Sequence, residues 1–509
     1  MSFSSLYRSF AGAILFALLP LNLFAAERSQ IPFLVDEERV TDRIDRIMIE
    51  YGVPSISVAS VSGDGEIWAY ASGIANKKKK KQATPETVYR LASVSKPITA
   101  IAVMLFVDRG LIDLDAPAND YLGEQKIVAT AGNVEDVTVR RLMAHRAGLP
   151  LHYNLIHDNE DYERRSLDET IARYGIAMLP PGLTQRYSNI GYGVLERIIE
   201  VQSGKSYTDF LHEAFFQPLG MTSAGVFEGP SQPKGIALPY TRSGDLYPAY
   251  DIDTRGAGGV YMTASDLVRF GRFFSDALDG RSELLSAENA HEMLKIQDSS
   301  QEGKLEWYVL GWVHELRGKD RQYDTIYHLG STPGTRAELW IYPEKDLVVA
   351  TLLNEMSYDP LDEAREAVLE ALIPERTFRP YRKSKPYFSF DVPEAFRKAW
   401  VGTISLGADG ALSVEADLRD PEGPKVLIDG KSVVVRSASE NDGLVTITTD
   451  GIDLPTEDTA RQPYELGFML AADPDKLKGY VSANRLADRT RDSGNYAFDV
   501  MMVPSNISE

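Results

Sequence analysis

Within the first 375 residues, apolar residues form short runs near both ends of the segment. In its middle part they recur with the spacing of a helix. The segments "PSISVASVSG" and "EIWAYASGI", within residues 54–74, predict two strands joined by Gly63-Asp64-Gly65. From about residue 97 to 225 the chain is predicted to be largely helical, with helix-period apolar positions in "GVLERIIEVQS". Strand character returns in "AELWIYP" and "LVVATLL", within residues 328–354. This order predicts an α+β domain over residues 30–375, with an antiparallel sheet, flanking helices and a helical lobe.

A different pattern follows this domain. Residues 376–394 are rich in proline and basic residues and are predicted to be a linker. Beyond them, strand-like runs alternate with Asp-Gly pairs, which favour tight two-residue hairpin turns. We therefore predict a small all-β domain, a barrel or a sandwich, over residues 395–509. A structural role for it is favoured over the alternative that it shapes the active-site cleft. The Asp-Gly pairs lie at 409–410, 429–430, 442–443 and 450–451, and the clearest hairpin pairs 426–428 with 431–435.

Composition excludes several classes of protein. The 509 residues include 74 acidic and 54 basic side chains, for a net charge of −20, which argues against a nucleic-acid-binding protein. The run Lys77 to Lys81 is predicted to be a solvated hairpin loop, the alternative being a site for anionic lipid or cell-wall polymer. The chain has no cysteine and no His-Glu-x-x-His motif, and His152 and His157 are predicted to be loop residues rather than ligands. We expect neither a metal nor another cofactor.

The N-terminus resembles a secretory signal peptide, assigned to residues 1–26. Arg8 supplies the basic region, residues 10–26 supply the apolar core, and cleavage is expected near Ala25 or Ala26. The alternative, an uncleaved anchor, would be short for a membrane span and is interrupted by a proline and an asparagine. Export to a bacterial periplasm is the simplest expectation, with no stable membrane span after cleavage.

A Ser-x-x-Lys pair, Ser93 and Lys96, opens an apolar helix-like segment. Residues three apart on a helix are neighbours, so the amine can take the proton of the serine hydroxyl and activate it as a nucleophile. The alternative is that Ser93 only caps the helix. A second Ser-x-x-Lys pair, Ser231 and Lys234, lies in a Pro/Gly-rich stretch where no helix is expected.

Two further motifs favour the first pair. Only Tyr187 among 25 tyrosines has an asparagine two positions later, Asn189, and only His328 among seven histidines forms His-x-Gly, with Gly330. This ordered set resembles the signature of penicillin-recognising serine hydrolases, which include class C β-lactamases, DD-peptidases, D-aminopeptidases and related esterases. The resemblance covers roughly residues 35 to 375. It extends to "VTVRRLMAHRAGLP" (137–150), residues 187–225, "GAGGVYMTASDLVRFGRFF" (256–274) and residues 328–354.

The resemblance implies a β-lactamase/transpeptidase-like fold with the active site in the cleft between lobe and sheet. Ser93 would form the acyl-enzyme, while Lys96 and Tyr187 would share a proton as one coupled unit in which neighbouring positive charge favours the phenolate. Asn189 would bind the substrate amide and help to hold Lys96. The backbone N–H groups of Ser93 and Ser331 would bind the oxyanion. A side chain at Gly330 is expected to block the substrate.

His328 stands where most class C β-lactamases carry lysine, and the His-x-Gly form resembles DD-peptidases and D-aminopeptidases. A partly charged imidazole near neutral pH would hold a substrate carboxylate less firmly, which argues against an efficient β-lactamase. The alternative is that a neutral His328 donates a hydrogen bond or packs on its strand.

The sequence thus predicts an exported serine hydrolase that acts through an acyl-enzyme on peptides with D-amino-acid ends. A carboxylesterase or weak β-lactamase on the same site is one alternative. A penicillin-binding-like sensor with poor turnover is another. The expected partner is a small-molecule or peptide substrate, and the oligomeric state is left open.

Overall fold

The computed structural model describes residues 36–63, 65–158, 164–297, 306–317, 322–374, 390–420, 423–441, 443–452, 454, 464–485 and 494–505. The predicted signal peptide (1–26) and most of the predicted linker (376–394) lie outside these residues and stay predictions. Within the described ranges no helix is both long and apolar enough to cross a membrane.

The helices belong mainly to the first 374 residues. They are α1 (Glu37–Tyr51), α2 (Ser95–Asp108), α3 (Val139–Met143), α4 (Leu167–Tyr174), α5 (Asn189–Ser203), α6 (Tyr207–Leu211), α7 (Arg255–Gly258), α8 (Ala264–Leu278), α9 (Ala287–Met293) and α10 (Asp359–Leu372).

The strands of the same region form one main sheet and several short pairings. They are β1 (Ser55–Ser62), β2 (Ile67–Asn76), β3 (Lys81–Gln82), β4 (Tyr89–Arg90), β5 (Val128–Ala129), β6 (Tyr153–His157), β7 (Ile176–Ala177), β8 (Gly225–Val226), β9 (Tyr250–Ile252), β10 (Val260–Met262), β11 (Glu306–Tyr308), β12 (Val313–Glu315), β13 (Thr325–Thr332), β14 (Thr335–Tyr342) and β15 (Leu347–Leu353). The main sheet has the order β11-β12-β13-β14-β15-β1-β2-β3, with antiparallel neighbours.

Helices cover both faces of the sheet, which explains why all eight residues of β1, its four serines included, are buried. Ile56 and Val58 pack with α1 and α10, whereas Ala59 and Val61 belong to the core on the opposite face, where α8 contacts the strand. Successive residues of a strand point to opposite faces, so a strand covered on both sides is buried at every position, and in β1 small serines stand between the apolar residues. The predicted α+β arrangement is confirmed.

The predicted helical stretch from 97 to 225 is only partly helical. Helices α2 to α6 are separated by loops and by the short strands β5, β6 and β7. His157 ends β6 and is therefore not a loop residue, whereas His152 does precede that strand. The lysine run lies in an exposed turn between β2 and β3, as predicted.

The C-terminal residues form one curled, half-barrel sheet rather than a sandwich. Its strands are β16 (Phe390–Asp391), β17 (Ala399–Ser405), β18 (Ala411–Asp417), β19 (Lys425–Ile428), β20 (Lys431–Val433), β21 (Val435–Asn441), β22 (Leu444–Ile452), β23 (Tyr464–Asp473), β24 (Lys476–Arg485) and β25 (Gly494–Pro504). Their order is β16-β21-β22-β23-β24-β25-β17-β18-β19-β20, and β6 of the first domain pairs with β25.

The Asp-Gly pairs play three different roles. Asp429 and Gly430 both have positive φ angles, 49° and 73°, and form the predicted two-residue hairpin turn between β19 and β20. The pair at 409–410 belongs to a longer connection, and the pair at 442–443 falls partly outside the described residues and stays a prediction. The pair at 450–451 lies inside β22, where the register with β23 shifts, so there the glycine accompanies a bulge.

Candidate active site

Ser93 lies in a short 3₁₀ turn, Ala92–Val94, that leads directly into α2. Its side chain does not cap α2, so the helix-cap alternative is wrong. Ser95 holds the turn in place, because its hydroxyl donates to the carbonyl of Ala92 at 2.7 Å and accepts from the N–H of Val260 at 3.0 Å. Ala92 adopts a positive φ of 49°, a conformation that costs energy in a residue with a Cβ. The candidate nucleophile thus sits on a strained and firmly held turn.

Lys96 is fully buried and its amine contacts three oxygen atoms. The Nζ atom lies 3.2 Å from Ser93 Oγ, 2.8 Å from Asn189 Oδ1 and 2.9 Å from the carbonyl oxygen of Ala257. Burial lowers the pKa of Lys96 well below its ordinary value, since the charged form loses hydration and no carboxylate compensates among the groups that act on it. The structure therefore favours a neutral amine.

A neutral amine can form hydrogen bonds with all three of these oxygen atoms. It has two N–H donors, which Asn189 and Ala257 can accept, and one lone pair, which remains for the hydroxyl proton of Ser93. The predicted contact between Asn189 and Lys96 is present. Asn189 is placed as the first residue of α5, whose N-terminus is capped by the hydroxyl of Ser188.

Tyr187 immediately precedes this cap, and the centre of its ring lies 4.6 Å from Lys96 Nζ. Loss of hydration raises the pKa of Tyr187 above its ordinary value, although a hydrogen bond with Ser93 acts in the opposite direction. The expectation that a neighbouring positive charge favours the phenolate is therefore wrong. With a neutral Lys96 the charge is absent, and the phenol keeps its proton.

His328 lies on β13 and is only 3% exposed. Its Nδ1 lies 2.8 Å from the carbonyl oxygen of Leu329, and its Nε2 lies 3.2 Å from the hydroxyl of Tyr308. Burial is the largest cause that lowers the pKa of His328, to about 3. The expected partly charged imidazole is therefore wrong, and the neutral alternative holds: Nδ1–H donates to the backbone and Nε2 accepts from Tyr308.

Gly330 is required for a reason other than the one predicted. A Cβ at this position would lie 2.1 Å from the carbonyl oxygen of Leu91 and 3.2 Å from a methyl group of Val94. The absence of a side chain at Gly330 lets β13 approach the turn that carries Ser93. The prediction, in contrast, was that a side chain here would block the substrate. The next residue, Ser331, is exposed at the cleft.

A cleft of about 150 Å³ brings together several of the predicted residues. Ser93 and Asn189 line one side, and Ser331 lines the other. The remaining lining residues carry no charged side chain: Tyr153, Leu155, Ile252, Ala257, Gly258, Thr332, Pro333 and Met356. The second Ser-x-x-Lys pair, Ser231 and Lys234, is exposed in a loop and is not part of this cleft.

The sequence analysis missed a cluster of aromatic side chains behind Lys96. His145 is buried, its Nδ1 accepts the N–H of Ser188 at 3.1 Å, and its ring centre lies 4.3 Å from that of Tyr187 and 4.4 Å from that of Tyr308. Burial is the largest cause that lowers the pKa of His145 well below its ordinary value. The sequence feature that could have pointed to His145 is its position inside "VTVRRLMAHRAGLP", one of the segments that resemble the family.

A second buried contact lies at the base of β6. His152 Nε2 is 2.8 Å from Asp253 Oδ2, and its ring stacks on Tyr174 with centres 3.8 Å apart. Within the described ranges, no three histidine or carboxylate side chains are grouped so that they could hold a metal ion.

Comparison with known proteins agrees with this geometry. A family model described as Beta-lactamase matches residues 40–373. The chain is 30% identical over 343 residues to penicillin-binding protein 4 of Amycolatopsis lactamdurans, which covers 64% of this chain and 86% of that protein.

Two solved structures share the fold. The octameric penicillin-binding protein homologue of Pyrococcus abyssi superposes with a TM-score of 0.56 at 21% identity, over 92% of this chain and 100% of that one. The D-amino acid amidase of Ochrobactrum anthropi SV3 superposes with a TM-score of 0.55 at 24% identity, over 67% and 99% of the two chains. The match of the family model to about two thirds of the sequence shows that this chain belongs to the beta-lactamase family and is a serine hydrolase.

Proposed function

We propose that the chain hydrolyses an amide or ester through an acyl-enzyme formed on Ser93, with Lys96 as the general base. The observation that carries this proposal is the environment of Lys96 Nζ, which lies 2.8 Å from Asn189 Oδ1, 2.9 Å from the carbonyl oxygen of Ala257 and 3.2 Å from Ser93 Oγ. A neutral amine that donates to the first two acceptors keeps its lone pair for the Ser93 hydroxyl proton. Making a lysine neutral at pH 7 costs about 4–5 kcal/mol in water. Here burial of the side chain lowers the pKa of Lys96 and so reduces that cost on folding, before any substrate binds.

The proton balance follows from these contacts. Ser93 Oγ attacks the carbonyl carbon, the hydroxyl proton passes to Lys96, and the backbone N–H groups of Ser93 and Ser331 bind the oxyanion. Collapse of the tetrahedral intermediate breaks the bond to the leaving group, which takes a proton from the Tyr187 hydroxyl while Lys96 restores it. Water then attacks the acyl group, and the same proton path runs in reverse to regenerate Ser93.

The proposed substrates are peptides that end in D-amino acids. The similarity to a penicillin-binding protein and the shared fold with a D-amino acid amidase support this class. A cleft of about 150 Å³ lined by uncharged side chains suits a small acyl group. We also propose that the chain is exported, as residues 1–26 predict; N-terminal sequencing of protein from a periplasmic extract tests this.

A carboxylesterase is the second candidate. The neutral His328 favours it, because this position carries no positive charge that would select an anionic substrate. Ester hydrolysis also needs less help from Tyr187, since an alkoxide or phenoxide leaves more easily than an amine anion. A weak β-lactamase and an acylating sensor with poor turnover use the same first step, and the rate of deacylation distinguishes them.

Parallel assays with a D-alanyl-D-alanine peptide, nitrocefin and a short-chain nitrophenyl ester test the proposal. Ser93→Ala should abolish turnover of every substrate that the native protein hydrolyses, whereas Ser231→Ala should leave it unchanged. A fluorescent penicillin should label Ser93. Label at Ser231, or normal turnover by Ser93→Ala, would refute the assignment. Rapid peptide release supports the leading function, ester hydrolysis alone supports the second, and labelling without turnover indicates a sensor.

A further inference from the structure

A fully buried histidine with a strained backbone directly precedes β6. His152 has a positive φ of 27°, which costs energy in a residue with a Cβ and persists only where other contacts hold it. In the part of the chain that the structure describes, its Nδ1 has no hydrogen-bond partner. The polar contact of the ring joins Nε2 to Asp253 Oδ2 at 2.8 Å. Since a carboxylate accepts hydrogen bonds, Nε2 carries a proton and donates it to Asp253.

Asp253 holds the chain on both sides of Tyr153. It directly follows β9 and is buried, and its Oδ1 accepts the N–H of Asn154 at 3.0 Å while its own N–H donates to the carbonyl oxygen of Asn154 at 3.2 Å. One carboxylate thus fixes the side chain of His152 and the backbone two residues later. Tyr174, the last residue of α4, covers the imidazole, with ring centres 3.8 Å apart. These contacts hold the strained backbone of His152 in place.

The two residues before His152 support the N-terminus of α5. The carbonyl oxygen of Pro150 accepts the hydroxyl of Ser188 at 2.7 Å, and the carbonyl oxygen of Leu151 accepts the N–H of Asn189 at 2.7 Å. The Leu151 carbonyl belongs to the rigid peptide plane that the φ angle of His152 rotates. Relaxation of that angle to an ordinary negative value would therefore turn the carbonyl away from Asn189.

We infer that His152 is a positioning residue for the catalytic amine of Lys96. By keeping its strained backbone, it holds the Leu151 carbonyl against the N–H of Asn189. The side chain of Asn189 in turn accepts from Lys96 Nζ at 2.8 Å. A displaced Asn189 would leave the amine free to turn its lone pair away from the nucleophile. This inference rests on the proposed function, because the amine acts there as the general base.

The rate of acyl-enzyme formation with a short-chain nitrophenyl ester, followed by stopped flow, tests this inference. His152→Phe keeps an aromatic ring against Tyr174 and removes the donor to Asp253. It should lower the maximal acylation rate about tenfold, since a shift of about 1 Å in a reacting group costs up to about a hundredfold. The ester concentration at half-maximal rate should change little. In the Asn189→Ala background, which has no amide to misplace, His152→Phe should lower the rate by less than about twofold.

Further variants separate positioning from stability. His152→Gln supplies a side-chain amide that can donate to Asp253, and it should recover most of the acylation rate. His157→Phe is the matched control, because His157 is also buried, lies at the other end of β6 and contacts the ring of Tyr250. Any loss that it causes should be the same in the native and Asn189→Ala backgrounds. If His152→Phe does not fold, Asp253→Asn, which replaces the carboxylate with an amide, is measured in the same two backgrounds.

Three results would overturn the inference and leave His152 a structural residue. They are equal losses in the native and Asn189→Ala backgrounds, no loss in the native background, and failure of His152→Gln to recover the rate. Absence of acylation on Ser93 in the native protein would refute the proposed function instead. The two failures are distinguishable, because the first is measured as ratios among variants that acylate and the second on the native protein alone.

Discussion

The backbone of Gly330 passes so close to Leu91 that a Cβ on the glycine would lie 2.1 Å from the Leu91 carbonyl oxygen. Leu91 precedes the strained turn of Ser93, and Gly330 precedes Ser331 on β13. The distance between these two backbones therefore sets the distance between the nucleophile and the facing strand. Two segments separated by more than 200 residues meet there without an intervening side chain.

Gly330→Ala should consequently abolish most of the activity and lower the unfolding free energy by about 1–3 kcal/mol, the usual range for overpacking. Because the obstacle is a backbone carbonyl, β13 or the turn must move. Gly467→Ala is the matched control: it also lies within a strand, but a Cβ there would meet nothing within 4 Å. Activity assays and urea unfolding compare the two variants. An active and stable Gly330→Ala enzyme would contradict the close contact.

Asn189→Asp should shift the acidic limb of the pH–rate profile to higher pH. Lys96 must be neutral to accept the Ser93 proton, so activity is present above its pKa and is lost as the pH falls through it. A carboxylate 2.8 Å from Nζ would stabilise the ammonium and raise that pKa by about 1–3 units. The measurement is kcat/KM for a neutral nitrophenyl ester between pH 5 and 9.

The control for this substitution is Asn133→Asp. Asn133 is exposed and caps a short 3₁₀ helix by accepting the N–H of Glu135, which aspartate can do equally well. It adds the same charge far from the cleft and should leave the profile unchanged. An unaltered acidic limb in Asn189→Asp would mean that Lys96 is not the group whose deprotonation limits the rate.

His328 should make the protein less stable as the solution becomes acidic. Its folded pKa is about 3, below the unfolded value of about 6.5. Between these values the unfolded chain binds a proton that the folded chain does not, so the unfolding free energy falls with decreasing pH by up to about 1.4 kcal/mol per pH unit. Above about pH 6.5 this contribution is fully present.

Urea unfolding of the native protein and of His328→Gln, at pH values from 4.5 to 7.5, measures this slope. The difference in unfolding free energy between the two proteins should shrink as the pH falls. His291, exposed on α9, supplies the control, because its side chain is in water in both states. A constant difference across the pH range would show that folding leaves the pKa of His328 unchanged.

The C-terminal domain should influence the cleft through Tyr496. Strand β25 pairs with β6, and the hydroxyl of Tyr496 donates to Asn154 Oδ1 at 3.1 Å. The neighbours of Asn154 on β6, Tyr153 and Leu155, line the cleft. Loss of this hydroxyl should therefore loosen the wall of the cleft that β6 forms. We expect Tyr496→Phe to raise KM several-fold and to lower the unfolding free energy by about 1 kcal/mol.

Tyr480→Phe is the comparison for that variant. Tyr480 is equally buried, but its hydroxyl contacts the sulfur of Met469 within the C-terminal sheet. Steady-state kinetics of the two variants decide the point. Equal KM values for Tyr496→Phe and the native protein would restrict the C-terminal domain to the purely structural role favoured by the sequence.

Short-range features of this protein were predictable from sequence because they depend on residues that are neighbours along the chain. The three-residue spacing of Ser93 and Lys96 brings hydroxyl and amine together on the turn leading into α2, whatever surrounds it. The Asp429-Gly430 pair determines its own turn, since both residues tolerate positive φ. The α+β order of the first domain likewise follows from the period of its apolar residues.

The protonation states of the site depended on the tertiary structure. Lys96 and His328 have altered pKa values because packing removes them from water, and no local pattern records how deeply a side chain will be buried. The same Asp-Gly sequence forms a turn at 429–430 and a bulge at 450–451, since pairing with neighbouring strands decides between them.

The contacts that complete the cleft are also long-range. Strand β6 becomes a supported wall of the cleft only because β25, more than 300 residues later, pairs with it. A four-residue motif thus determines which side chain is the nucleophile and which amine lies beside it. The protonation states of the site and the shape of the cleft arise only when distant segments pack together and exclude water from the same small space.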